Sequence, residues 1–140
     1  MNNLHKDLQL VFLSLFASLF MASVAVAHHG DAGRYEEEVS VLSGTVVVLQ
    51  FVNPHSRLIV DVVDENGESV TWHVEFSNPG RMNSEFGWTR DILKPGDKVT
   101  LTGRFRKGGA PVMNLTERSQ VVMTETGEQI YRTENFVAAE

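Results

Sequence analysis

Beyond residue 27 the side chains best suited to chemistry are four imidazoles, His28, His29, His55 and His73. The chain has no cysteine, so imidazole is its strongest ligand for a borderline metal ion. Two of the four follow Ala25-Val26-Ala27, a small-residue cleavage pattern. A cut after Ala27 gives His28 a free α-amine beside its ring, a chelate suited to copper(II). Another imidazole would complete a T-shaped brace. His55, after a proline at a strand end, can supply it. His29 offers a different chelate through its ring, the amine and the intervening amide. The predicted metal ligands are therefore His28, His29 and His55, with copper as the cofactor and otherwise none. His73, next to Glu75 on a strand face, reads as a solvent-facing side chain. Met82, Met113 and Met123 carry sulfur for copper(I), but isolated methionines usually fill cores. The competing reading is plain. Cleavage constrains only the residues before the cut, and His55 fits an ordinary turn.

The segment before the cut reads as a secretory leader. An apolar run from Leu8 to Ala22 follows a short polar start carrying Lys6. Its 15 residues fall short of the roughly 20 that span a bilayer. Residues 1–27 are therefore read as a signal peptide, and the product as periplasmic or secreted. Removing 27 of the 140 residues leaves 113, enough for one domain with its own core. The expected organisation is a flexible segment over 28–38, then one β-barrel domain with a C-terminal tail over 39–140. Lys6 and Asp7 leave together, so the net charge stays at −6. So acidic a chain is a poor partner for nucleic acid or for anionic membranes.

Known catalytic patterns are missing. There is no G-x-S-x-G elbow, no H-E-x-x-H and no phosphate loop. Asp61 and Glu75 fall in different cross-strand pairs, so no glycosidase-type carboxylate pair forms. The chain is read as a non-enzymatic protein.

The supporting elements are strands. Val39 to Phe51 is a long β-branched run with Gly44 inside it, read as a bulge or bend. Asn53-Pro54-His55 ends it. Leu58, Val60 and Val62 alternate with Arg57, Ile59 and Asp61. Val70, Trp72, Val74 and Phe76 alternate with Thr71, His73 and Glu75. A two-residue Asn66-Gly67 turn would set Asp61 against Trp72. A three-residue loop Glu65-Asn66-Gly67, with Gly67 left-handed, pairs Val62 with Val70, Val60 with Trp72 and Leu58 with Val74. It also sets Arg57 against Glu75 as an opposite-charge pair. Asn78-Pro79 predicts a short helix ending near Gly87. Trp88 is expected to plug a barrel end, with Arg90 paired or stacked nearby. Lys94-Pro95-Gly96-Asp97 is a turn, Lys98 to Arg106 a fourth strand, and Val112 to Met123 an irregular fifth.

Three strands, a short helix and two strands, with a bent first strand, predict an all-β OB-fold-like five-stranded Greek-key barrel. A sandwich, or an extra terminal strand at Ile130-Tyr131, is the alternative. The predicted interior is Val60, Val62, Trp72, Val74, Leu101 and Phe105.

The leader ending in Ala27-His28-His29, together with Gly44-Thr45-Val46, Asn53-Pro54-His55, Trp72-His73-Val74-Glu75, Gly87-Trp88-Thr89-Arg90 and Lys94-Pro95-Gly96-Asp97, resembles an exported bacterial family, domain of unknown function 6152. The resemblance implies a small exported β-domain in a Gram-negative bacterium and brings no activity. His73 is less typical of the pattern than His55.

Two functions follow as expectations. One is copper binding through the leading histidine. The other is an OB module holding a peptide or protein on its outer face, which carries Arg57, Ile59, Asp61, Thr71, His73 and Glu75. That face has no exposed aromatic for stacking on bases or sugars.

Overall fold

The computed structural model describes residues 33–137; the leader, His28 and His29 lie outside the described residues. Seven strands and one helix follow in the order β1 Ser40–Gln50, β2 Arg57–Val63, β3 Ser69–Glu75, α1 Pro79–Phe86, β4 Lys98–Phe105, β5 Val112–Asn114, β6 Gln120–Met123 and β7 Gln129–Arg132. The strands lie in the order β1-β2-β3-β5-β4, and β4 pairs back onto β1. That closes a five-stranded barrel with the small helix inserted between β3 and β4, the OB-like architecture read from the strand order. Among the described strands only β3 and β5 run parallel.

The β2–β3 register follows the turn chemistry. Val62 pairs with Val70, Val60 with Trp72 and Leu58 with Val74. Gly67 takes a φ of 85°, which a side chain resists. Asp64 accepts at its Oδ1 from the N–H groups of Asn66 (2.8 Å) and Glu68 (2.9 Å). Those bonds hold its carboxyl below the usual value of 3.8.

Gly44 is not the bulge. The register of β1 against β2 slips between Val46 and Val48, so the extra residue is Val47. Gly44 instead lies where β1 crosses β2 closely. A Cβ there would sit 2.9 Å from the Asp61 carbonyl oxygen and 3.0 Å from a Val62 methyl. β1 thereby serves two partners, pairing with β4 from Ser40 to Thr45 and with β2 from Thr45 to Gln50.

The single irregular fifth strand expected from Val112 to Met123 is two strands. Asn114 breaks it: its Oδ1 accepts from the Thr116 N–H at 2.9 Å and the Thr116 hydroxyl at 2.7 Å, a local turn that competes with the ladder. Arg118 then takes a positive φ of 49°. β6 resumes on the same side of β4, against Val99–Thr102, and the terminal strand at Ile130-Tyr131 is present as β7, paired with β6.

Val60, Val74 and Leu101 are fully buried, as expected. Val62, Trp72 and Phe105 are only half-buried against that core. They lie toward the end where β2 turns into β3, and the Trp72 and Phe105 rings meet at 4.7 Å. The other end is sealed. Asn78 caps α1 by accepting from the Arg81 N–H at 2.9 Å, and Pro79 occupies its first turn. Gly87 ends it in the left-handed conformation, and the Trp88 N–H reaches back to the Met82 carbonyl. Trp88 is thereby pushed inside. It is fully buried, 4.9 Å from Phe76 and 5.7 Å from Tyr131 by ring centroids. Met82 and Met113 are also fully buried and fill the core.

Residues 33–38, the described part of the segment expected to be flexible, lie along β4. Tyr35 forms a bridge with Arg106, and the Glu36 N–H donates to the Phe105 carbonyl at 2.8 Å. Arg118 donates to the Glu37 carbonyl at 2.7 Å.

Candidate functional site

Of the predicted metal ligands only His55 is described. It is exposed on the loop between β1 and β2. The preceding Asn53-Pro54 bond is cis, and Ser56 beyond it is fully buried. Among the described residues no three histidine, aspartate or glutamate side chains gather as a metal would require. His73 is exposed on β3, opposite Ile59. The carboxylates of Asp61 and Glu75 are not paired with each other. Asp61 accepts from the Thr71 hydroxyl at 2.7 Å, and Glu75 accepts from the Tyr35 hydroxyl at 2.7 Å.

That last bond changes one expectation. Arg57 and Glu75 are register partners, but among the described residues they form no ion pair. Glu75 turns instead toward Tyr35, which is 4% exposed. Arg104 lies over the Tyr35 ring at 6.0 Å and pairs with Glu117 at 3.2 Å. No pattern around Arg34-Tyr35-Glu36 announces this; a lone aromatic in a charged stretch is the only signal.

The outer face of β2 and β3 carries the side chains expected to meet a partner. Arg57, Thr71 and His73 are exposed on it, and Asp61 and Glu75 are half-buried. Ile59 departs from expectation. It faces outward yet is 8% exposed, because its register neighbours Val48 and His73 stand on either side. The face is therefore a small apolar centre inside a polar frame. The loop between β4 and β5 borders it, and the Pro111 carbonyl accepts from the His73 N–H at 2.9 Å.

Among the described residues, two clefts are lined by residues other than those of this face. One, of about 740 Å³, is lined by α1, β7 and the Asn114–Ser119 connection. Its charges are largely matched: Arg81 pairs with Glu85 at 2.9 Å, and Glu117 with Arg104. Tyr131 forms part of its wall and donates to the Leu115 carbonyl at 2.6 Å. Burial pushes the Tyr131 phenol up to about 12. The other, of about 480 Å³, joins Leu49–Val52 to Arg90. Arg90 is exposed and, among the described residues, has no ion pair. It stacks on no ring among the described residues either, so the expectation that it would be paired or stacked nearby is not met.

Among the described residues no helix is long and apolar enough to cross a membrane. A model described as "Family of unknown function (DUF6152)" matches residues 17–113. No curated protein matches the chain.

Proposed function

The chain belongs to this family of unknown function, and we propose that it is an exported, non-catalytic binding module that holds a peptide or protein partner on the outer face of β2 and β3. One observation carries this reading. In the closed barrel β2 is paired with β1 from Arg57 to Asp61 and β3 with β5 from His73 to Glu75, so around Arg57, Ile59, His73 and Glu75 a partner meets side chains and not a free strand edge. Those side chains are a shielded Ile59 framed by Arg57, Asp61, Thr71, His73 and Glu75. With Ile59 covered, the accessible surface is this mixed-charge set beside the exposed Val48, the register neighbour of Ile59, a combination that suits a polypeptide surface. The absence of an aromatic platform on this face disfavours bases and sugars. The leader and the Ala25-Val26-Ala27 pattern support export to the periplasm or beyond. Photocrosslinking from position 73, compared with position 128 on the far turn, tests the reading.

A second reading rests on the sequence at the cleavage site. Cleavage after Ala27 would give a mature N-terminal His28 able to bind one copper(II), with His29 or His55 completing the site. His55 is exposed and unencumbered by a side-chain hydrogen bond among the described residues, which supports its role as the third ligand. Copper(II) titration of the processed protein, followed by spin resonance, tests this. A leading methionine should abolish binding by displacing the amine, and equal binding by the extended variant would eliminate the site.

A further inference from the structure

The smaller cleft joins two motifs that lie far apart in the chain. Its wall is Leu49, Gln50, Phe51 and Val52, immediately before Asn53-Pro54-His55, and its rim is Arg90, from Gly87-Trp88-Thr89-Arg90. Leu49 and Phe51 pack against the core from the cleft side, and Val52 is 54% exposed. The wall thus offers accessible apolar surface at Leu49, Phe51 and Val52, with the exposed Gln50 as its polar member. Past Gln50 the chain has left the β1 ladder, so the peptide groups of Phe51 and Val52 have no strand partner. Arg90 stands two residues after Trp88, whose burial and bond to the Ile130 carbonyl at 2.8 Å fix the segment. No lining residue is acidic, although the whole chain carries a net charge of −6.

We propose that this cleft binds the C-terminal carboxylate of a partner polypeptide ending in an apolar residue. The Arg90 guanidinium offers two parallel N–H donors to the two carboxylate oxygens, the geometry in which arginine binds most strongly. The terminal side chain covers Leu49, Phe51 and Val52. The preceding peptide group meets the main chain of Phe51 and Val52, as in other captures of a chain terminus. A fatty acid would satisfy the arginine and the apolar wall but would leave those peptide groups unmatched. The cleft shares no residue with the β2–β3 face, although Gln50 in its wall is the register partner of Arg57 on that face.

Calorimetry on the full exported protein tests it. The probes are acetylated pentapeptides ending in Leu, Val or Phe as free acids, the same peptides as C-terminal amides, and octanoate. The free acids should bind, with the amides and octanoate at least about tenfold weaker, or ~1.4 kcal/mol. Arg90→Gln should lower affinity for the acids by a similar factor at an unchanged melting temperature, because Arg90 is exposed. Val52→Asp should do the same by charge repulsion. Equal binding of acids and amides, undiminished binding by Arg90→Gln, or no binding by any acid overturns the proposal. Octanoate binding as tightly as the peptides overturns the polypeptide as occupant.

Discussion

Trp88 donates its indole N–H to the Ile130 carbonyl across 2.8 Å, tying the segment after α1 to β7 at the residue where its register with β6 slips. One side chain thereby closes a barrel end and anchors β7. Trp88→Ala should cost about 3–5 kcal/mol in urea unfolding, as expected for a fully buried large-to-small change. Trp72→Ala should cost less, since Trp72 is only half-buried against the core. An equal or larger loss at Trp72 would mean that the barrel is held mainly at its other end.

Gly44 and Gly67 should respond differently to alanine. At Gly44 the new methyl meets the Asp61 main chain at 2.9 Å, so β1 and β2 must move apart, at a cost of about 1–3 kcal/mol. At Gly67 there is open space but a φ of 85°, and the cost is backbone strain of about 1 kcal/mol. Amide exchange separates the two. Gly44→Ala should loosen the β1–β2 ladder, while Gly67→Ala should loosen only the turn.

Tyr131 should set the alkaline limit of stability. Its phenol titrates at about 12 in the folded chain, against about 10 when unfolded. The folded pKa is raised, so the contribution is fully present below pH ~10 and is lost as pH rises from there toward ~12. Tyr131→Phe should be less stable at neutral pH, because the bond to the Leu115 carbonyl is gone. It should also show a flatter decline above pH ~10. Denaturant midpoints against pH check both, and parallel curves for the two proteins would be the contrary result.

Tyr35→Phe removes the hydroxyl that Glu75 accepts and leaves the ring in place. The loss should be about 1.5–3 kcal/mol, as for a hydrogen bond to a charged group. Exchange at the Glu36 and Lys107 amides, which bond across the Tyr35 bridge, should rise more than in the rest of the sheet.

The β2–β3 register was legible because a period of two and a three-residue loop admit only one pairing that keeps Asp61 off the apolar face. The helix was legible from Asn78-Pro79 and Gly87, which act locally. What escaped depends on distant partners. The division of the fifth strand needs the Asn114 side chain to outbid the ladder. The shielding of Ile59 needs β1 on one side and His73 on the other. Tyr35 meets Glu75 forty positions away, and Arg90 meets Leu49–Val52 only through the closed barrel. Of the predicted copper ligands, His55 is exposed as a loop residue should be, and His28 and His29 lie outside the described residues.

The most direct test of the binding-module account is photocrosslinking in cells that export the protein. A photoreactive phenylalanine derivative replaces His73 on the β2–β3 face in one strain and Glu128, exposed on the β6–β7 turn, in the other. The account predicts a discrete adduct from position 73, lost when Arg57→Glu reverses the rim charge, and none of the same mass from position 128. No adduct from position 73, or the same adducts from both positions, would contradict it.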